Sequence, residues 1–228
     1  GVALPMAGDG PDPAGAAERF DRLAAGVDAM CVGPGLGRSR GATALALRAV
    51  LQEDAPAVLD ADALNALADT PAFWEDLRAH MVLTPHPGEA RRLLAALSIR
   101  ADPAGSADER AGACAAMARR LGCVVVLKGA GTVVSDGLRA WTCAAGHPCL
   151  ATGGTGDVLA GVIAGLIGAH GARAGRGGGL DLFACAQAGV QAHAKAGEAW
   201  AALKGASGGM TPGELADLIP AEIERLRG

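Results

Sequence analysis

The sequence predicts one α/β domain over residues 1–228, with a mostly parallel central sheet, helices on both faces and one antiparallel hairpin. Short apolar segments alternate, without an intervening linker, with segments whose apolar residues recur at helical spacing, and this alternation is typical of βαβ units. Strands that are apolar throughout indicate a sheet covered on both faces. The dipeptide Asp136-Gly137 between two strand-forming runs is a strong two-residue hairpin signal.

The predicted elements follow one another in a regular order. In the first half, the apolar period predicts helix 14–25, strand 27–32, helix 39–51, strand 57–60, helix 61–67, strand 81–84 and helix 88–97. The second half adds helix 107–121, the Val-rich strand 123–127, hairpin strands 132–135 and 138–142, and helices that begin near Gly156, Leu180 and Pro212. Thr211 and Glu214 flank Pro212 as a capping signal for the last helix. The glycine-rich segment 168–179 is predicted to be a surface loop between two helices.

The composition excludes several classes of partner. The chain has 24 acidic and 20 basic residues, a net charge of −4, three Phe, three Trp and no Tyr. Without a basic cluster or a set of aromatic rings, neither nucleic acid nor a membrane surface is an expected partner. The longest apolar stretch, 158–169, is too short to span a bilayer. Six dispersed cysteines without a Cys-x-x-Cys pair predict buried free thiols in a reducing cytoplasm. We therefore expect a cytoplasmic protein with a small-molecule ligand.

Polar and glycine residues follow the predicted strands, where ligands bind in open α/β sheets. They lie in segments 33–37, 60–62, 84–89 and 128–132. Each has a functional and a structural interpretation. Lys128 would contact a nucleotide phosphate or cap a strand end, and His86, between two prolines, would contact a ligand or serve as a structural histidine. Asp60 and Asp62 would hold Mg²⁺ through water or cap the helix at Ala63.

The segment 151–157, directly before an apolar helix, is the strongest single feature. Gly153, Gly154 and Thr155 form a candidate phosphate loop, because free backbone amides and the helix dipole stabilise an anion at a helix N-terminus. Asp157 would take a proton from a nearby hydroxyl or cap the helix. A GxxxxGK[ST] loop is absent from the sequence, and segment 33–37 lacks the third glycine of a dinucleotide fingerprint. Three histidines without close metal-ligand partners are assigned to the surface or the core: His147, His170 and His193.

Five motifs occur in order along nearly the whole chain. They are GPGLG at 33–37, VLDADALN at 58–65, LTPHPGE at 83–89, VLKGAGT at 126–132 and ATGGTGDVLAG at 151–161. Together they resemble the bacterial ADP-dependent NAD(P)H-hydrate dehydratase family, which has a ribokinase-like fold. The resemblance implies an enzyme that returns the (S)-hydrates of NADH and NADPH, called NADHX and NADPHX, to NADH and NADPH. It implies ADP and Mg²⁺ as cofactors, phosphorylation of the hydrate hydroxyl, loss of phosphate, and AMP as a product.

The resemblance also implies roles for individual residues. Adenine-nucleotide binding falls to Lys128, Gly129, Ala130, Gly131, Thr132 and Gly156. Contact with the hydrate falls to Gly35, His86 and Asp157, with Asp157 as the base. Related small-molecule kinases carry Asn-x-x-Glu where this chain has 86–89, so Glu89 is the candidate that orders Mg²⁺ through water.

Two departures from the family pattern bear on this interpretation. The family's domain begins with a further strand–helix–strand stretch, so we expect this sequence to be part of a longer product, for instance one fused to or associated with the family's NAD(P)H-hydrate epimerase. His147 stands where Asn is expected. Family resemblance further implies a homotetramer, which the many small helical residues permit by close packing.

Two other functions stay open from the sequence. A ribokinase-like kinase acting on a small alcohol, such as a thiazole or pyrimidine alcohol, would share the sequence Gly-Thr-Gly-Asp at 154–157, although the KGAGT and TPHPGE motifs disfavour it. A non-catalytic adenine-nucleotide-binding module is the second alternative, and the presence of Asp157 argues against it.

Overall fold

The computed structural model describes residues 6–7, 10–11, 13–52, 55–77, 80–171 and 179–227. Two short strands and a helix come first: β1 (Met6–Ala7), β2 (Gly10–Pro11) and α1 (Pro13–Ala24). Then follow β3 (Met30–Val32), α2 (Arg40–Val50), β4 (Ala57–Leu59), α3 (Asp62–Ala68), β5 (Met81–Leu83) and α4 (Pro87–Ala96). The rest comprises α5 (Ala107–Leu121), β6 (Val124–Leu127), β7 (Val133–Ser135), β8 (Ala140–Thr142), α6 (Thr155–His170), α7 (Leu182–Lys204) and α8 (Pro212–Arg227).

Six strands form the central sheet in the order β3-β4-β5-β6-β7-β8. Strands β3 to β6 are parallel, and β7 is antiparallel to both β6 and β8. Strands β1 and β2 form a separate antiparallel pair. The predicted fold class is therefore confirmed: an α/β fold with a mostly parallel sheet and one antiparallel hairpin, which lies at the sheet edge.

Two apolar layers enclose the central strands. Leu59, Leu83 and Leu127 point into the core formed with helices α2 to α5. Their chain neighbours Val58 and Val82 point into the opposite core, which α6 and α7 cover. Because successive side chains of a strand face opposite sides, a strand covered on both faces must be apolar at every position. This is the physical reason for the uninterrupted apolar strand segments.

The hairpin and the loop after α6 differ from their predictions. Strands β7 and β8 pair through Ser135 and Ala140, and the Asp136 amide donates to the Arg139 carbonyl at 3.3 Å. The turn is thus centred on Gly137 and Leu138, one residue later than predicted, because the Asp136 carboxylate accepts the amides of Leu138 and Arg139. Residues 168–170, predicted as loop, belong to α6, while 172–178 lie outside the described residues.

The cysteine prediction is confirmed at five positions and wrong at one. All six thiols are free, and Cys31 is exposed on strand β3 at the sheet edge, whereas the other five are buried. None of the helices in the described part of the chain is long and apolar enough to cross a membrane.

Helices α6 and α7 pack closely because a glycine lies at their contact. A Cβ built on Gly189 would lie 2.7 Å from Ile163 Cγ1 and 3.5 Å from Ile163 Cα. Ile163 is fully buried, so it has no room to move away. The small residues of this chain thus set the distance between the two helices that cover one face of the sheet.

We expect Gly189→Ala to lower the free energy of unfolding by roughly 1 kcal/mol or more, because overpacking outweighs the gain in helix propensity. Gly112→Ala is the matched control: Gly112 is exposed in α5, and no described atom lies within 4 Å of its added Cβ. That substitution should stabilise the protein by up to about 1 kcal/mol. Urea denaturation measures both, and equal stabilisation by the two would show that the α6–α7 contact is not tight.

Candidate functional site

The carboxyl ends of β3 and β4 hold their loops against each other. A Cβ on Gly33 would lie 1.7 Å from the Asp60 carbonyl oxygen, so only glycine permits this approach. The Gly37 amide donates to Asp62 Oδ2 at 2.8 Å. Gly35 lies between these two contacts with a positive φ of 66°, and no described atom lies within 4 Å of its ideal Cβ position. The predicted substrate residue Gly35 therefore has an open approach.

The predicted capping role of Asp60 and Asp62 is wrong. Helix α3 begins at Asp62 after Ala61, whose side chain makes no capping hydrogen bond. Asp60 instead is fully buried and lies 2.5 Å from Lys128 Nζ through its Oδ1. Lys128 is thus neither a solvated strand end nor an isolated cation, because it forms a buried ion pair with the loop after β4.

His86 and Glu89 begin helix α4 as a reciprocal cap. The imidazole Nδ1 of His86 accepts from the Gly88 amide at 2.9 Å, and Glu89 Oε2 accepts from the His86 amide at 2.8 Å. Glu89 Oε1 also lies 3.4 Å from His86 Nε2. The structural role weighed for His86 is confirmed, and about half of its side chain remains exposed.

Charges from several loops act on one another at this edge of the sheet. Burial raises the pKa of Glu89 above its usual value, and the nearby Asp60 carboxylate adds to this effect while Lys128 opposes it. Although Cys31 is exposed at the sheet edge, the protein atoms that crowd around it desolvate its thiol and, together with the carboxylates of Asp60 and Asp157, raise its pKa to about 11. Asp157 therefore lies in the same electrostatic environment as the buried pair.

A cavity of about 620 Å³ opens beside this cluster. Its lining contains every residue predicted to bind the nucleotide, namely Lys128, Gly129, Ala130, Gly131, Thr132 and Gly156. Thr155 of the predicted phosphate loop also lines it. Other predicted site residues lie outside the lining: Gly35, His86, Glu89, Gly153, Gly154 and Asp157. The structure thus places the predicted nucleotide residues in the cavity and these six residues outside it.

The predicted phosphate loop leads directly into α6. Gly154 is the N-cap with a positive φ of 91°, and a Cβ there would lie 2.7 Å from Pro212 Cγ. Thr155 Oγ1 donates to the carbonyls of Leu150 and Thr152, both at 2.8 Å. Asp157 does not cap the helix: it is exposed in the first turn of α6. The capping alternative is therefore wrong for Asp157, and its carboxylate is accessible at the rim.

Arg110, which no sequence motif marks as a site residue, holds the loop that carries the nucleotide motif. Its guanidinium donates to the carbonyls of Leu127, Lys128 and Gly131 at 3.2 to 3.5 Å and to Pro103 at 2.9 Å. A Cβ on Gly129 would lie 3.1 Å from the guanidinium, so a side chain there would crowd it. The loop 128–132 owes its shape to a residue on helix α5.

Two histidines lie in the cavity wall rather than on the surface or in the core. His193 on α7 contacts the Thr155 carbonyl through Nε2 at 2.9 Å, and burial lowers its pKa. His147 accepts from the Cys149 amide at 3.3 Å and also lines the cavity. Both histidines therefore belong to the cavity lining, whereas the sequence had assigned them no role at the site.

The described elements define an α/β protein of ribokinase-like fold, with a cavity of about 620 Å³ beside the carboxyl ends of the parallel strands. Its fold is similar to that of hydroxyethylthiazole kinase from Pyrococcus horikoshii OT3, with a TM-score of 0.69 at 18% identity over 91% of this chain and 75% of that one. Residues 6–221 match the family described as NAD(P)H-hydrate dehydratase. The chain belongs to this family, as the sequence motifs predicted.

Two further proteins support this membership. The bifunctional NAD(P)H-hydrate repair enzyme Nnr of Coxiella burnetii is 40% identical over 184 residues, which are 80% of this chain and 34% of that protein. The ADP/ATP-dependent NAD(P)H-hydrate dehydratase of Bacillus subtilis, crystallised with ATP and Mg²⁺ and soaked with CoA, has a TM-score of 0.67 and 28% identity, covering 89% of this chain and 70% of that one. This chain therefore spans about a third of the curated relative.

We expect Arg110→Lys to loosen the loop 128–132, because one ammonium cannot reproduce the planar fork that serves several carbonyls. The measurement is hydrogen exchange of two amides bonded at the ends of this loop, those of Lys128 and Cys143, which donate to the carbonyls of Pro85 and Thr132. Their exchange should quicken by roughly tenfold, the effect of losing about 1.4 kcal/mol of local stability. Arg119→Lys, on the exposed side of the same helix, is the control and should leave these rates unchanged. Unchanged rates in both variants would remove Arg110 from the support of the loop.

Proposed function

We propose that this chain catalyses the ADP-dependent dehydration of (S)-NADHX and (S)-NADPHX, a repair reaction that yields NADH or NADPH, AMP and phosphate. One observation carries the proposal: the cavity lined by 128–132 and Gly156 adjoins the N-terminus of α6, beside which Asp157 is exposed. A nucleotide in this cavity would direct its phosphates at the start of the helix, where backbone amides and the helix dipole stabilise negative charge. Family membership supports the same reaction.

The residues that line the cavity carry the nucleotide side of the reaction. Lys128, Gly129, Ala130, Gly131, Thr132 and Gly156 hold ADP, and Gly153, Gly154 and Thr155 form the phosphate loop. Lys128 supplies a positive charge at the phosphate end, and glycines 129 and 131 allow the backbone to approach the ligand closely. Phosphoryl transfer requires little more from the protein than fixed positions and electrostatic stabilisation.

The hydrate side falls to the rim, where Gly35, His86 and Asp157 contact the substrate. The Asp157 carboxylate accepts the proton of the hydrate hydroxyl, whose oxygen then attacks the β-phosphorus of ADP and displaces AMP. The phosphate ester formed on the ring leaves as inorganic phosphate while the neighbouring ring carbon loses a proton, and the ring double bond is restored. The exposed position of Asp157 leaves it accessible to a substrate hydroxyl.

Mg²⁺ fits this site as an ion carried by the nucleotide. Within the described residues, no group of three His, Cys, Asp or Glu side chains forms a protein-only metal site. The buried Glu89 carboxylate provides oxygen atoms of the type that Mg²⁺ prefers, and Mg²⁺ commonly keeps several waters and takes phosphate oxygens as ligands. We propose that Glu89 orders the ion through water. When bound, the ion would supply positive charge that offsets the negative charge of the transferring phosphoryl group.

The wider setting is proposed on the same basis. Free cysteines suit a reducing cytoplasm, and the close packing of glycine-rich helices suits assembly into a homotetramer. Because the chain spans 34% of a bifunctional relative, we also propose fusion to or association with an NAD(P)H-hydrate epimerase. Sedimentation of the 228-residue chain measures the assembly.

The proposed reaction is tested by incubating the chain with purified NADH hydrate and Mg²⁺, with ADP, ATP or no nucleotide. We expect near-ultraviolet nicotinamide absorbance to return with ADP, together with stoichiometric AMP and phosphate. Binding of ADP without any return of absorbance would contradict the dehydratase and favour a nucleotide-binding module. Transfer of phosphate from ATP to a thiazole or pyrimidine alcohol, with no action on the hydrate, would favour a related kinase.

Asp157→Asn should reduce kcat by at least about 10²-fold while changing ADP affinity little, because the base is lost and the loop amides remain. The matched control is Asp217→Asn, at an exposed position in α8, which should retain full activity. Turnover of the hydrate and calorimetric titration with ADP measure the two effects. Full turnover by Asp157→Asn would remove this carboxylate from the chemistry.

A further inference from the structure

Asp60 and Lys128 form a buried ion pair whose carboxylate has no direct part in the proposed proton transfer. The two residues follow β4 and β6, with β5 between them, and Lys128 Nζ lies 2.5 Å from Asp60 Oδ1. The Asp60 side chain is 1% exposed and that of Lys128 16% exposed. Two charges removed from water in this way remain charged only while they stay together. The pair therefore fixes the end of an otherwise flexible side chain.

The Lys128 ammonium lies against the first turn of α6. A Cβ on Gly156 would be 3.3 Å from Nζ, so glycine leaves the space that the ammonium fills. Its charge also reaches His193, since Lys128 adds to the effect of burial in lowering the pKa of that imidazole. The positive end of the α6 dipole disfavours a cation at this place. Asp60 supplies the opposite charge that keeps it there.

The other contacts of Asp60 do not explain its buried charge. Oδ1 also accepts from the Ala61 amide at 2.9 Å, whereas Oδ2 is buried and has no hydrogen-bond partner among the described residues. Glu89, whose pKa Asp60 helps to raise, is a second acidic group and offers no compensating positive charge. A buried carboxylate that serves only to stabilise the fold is expected to have hydrogen bonds to both of its oxygens, because a buried oxygen without a partner is unfavourable. Asp60 does not meet this expectation.

We propose that Asp60 is a positioning residue that holds the Lys128 ammonium at the place where the terminal phosphate of the nucleotide binds. The inference rests on the proposed function, in that it takes the cavity beside Gly156 for a nucleotide site. A lysine side chain has a flexible four-carbon stem, and ordering it only when the ligand arrives weakens binding. The ion pair orders it beforehand.

The test is a double-mutant cycle on ADP affinity, measured by calorimetry with Mg²⁺ present. Asp60→Asn keeps the size of the side chain and removes its charge, and Lys128→Met keeps most of the stem of the lysine. We expect Asp60→Asn to raise the Kd for ADP about tenfold when Lys128 is present, and to have no further effect in the Lys128→Met background. Asp21→Asn, which removes the partner of Arg48 in an exposed pair away from the site, is the matched control and should leave the Kd unchanged.

A purely structural role gives a different pattern. Asp60→Asn would then weaken ADP binding by the same factor in both backgrounds, with the same fall in melting temperature, and this result would overturn the proposal. Unchanged affinity in Asp60→Asn with Lys128 present would also overturn it. If Asp60→Asn does not fold, Asp60→Glu takes its place, since it keeps the charge but displaces it by one methylene, and the same two outcomes decide. Failure of the unaltered chain to bind ADP would contradict the proposed function instead.

Discussion

Burial of the central strands on both faces is the constraint on which the rest of this structure depends. Leu59, Leu83 and Leu127 contact one set of helices, while Val58 and Val82 contact the other. Strands enclosed in this way cannot shift register without moving apolar side chains that are already tightly packed. Their carboxyl ends are therefore fixed relative to one another, and so are the loops that follow them. The positions of the site residues are therefore determined mainly by the sheet and less by the loops themselves.

The fixed strand ends bring together charged side chains that are largely shielded from water. Asp60, Glu89 and Lys128 come from three loops, and the pKa of Glu89 responds to both of the others. Glycines make room for these contacts: the Asp60 carbonyl lies close to Gly33, and the Lys128 ammonium lies close to Gly156. Fixed charges in a region of low dielectric act more strongly than the same charges in water. Such an arrangement suits the proposed phosphoryl transfer, in which negative charge develops on the oxygen of the leaving AMP.

The sequence predicted the fold well because each element carries its own periodic signal, and helix 107–121 was predicted to the residue. The hairpin turn was displaced by one residue, because the Asp136 carboxylate accepts hydrogen bonds from two turn amides, and a dipeptide preference does not include such side-chain bonds.

Arg110 and His193 were missed because each reaches the site from within a helix, outside any motif. A signal existed: Arg110 shares a helix face with the buried Ala113, Cys114 and Met117, as His193 does with Gly189, Val190 and Gly197. A polar side chain on the apolar face of a helix needs a hydrogen-bond partner. Here the partners are backbone carbonyls of the site loops.

The cap at the start of α4 has a consequence for the chemistry of its histidine. Because His86 Nδ1 accepts the amides of Gly88 and Glu89, that nitrogen carries no proton, and the neutral ring carries its proton on Nε2. The tautomer is selected by the backbone of the helix, before any ligand arrives. The Nε2–H requires an acceptor, and the structure already places Glu89 Oε1 3.4 Å from Nε2, so a ligand oxygen at His86 would share this donor with the Glu89 carboxylate. A helix cap in this way sets the polarity of one wall of the site.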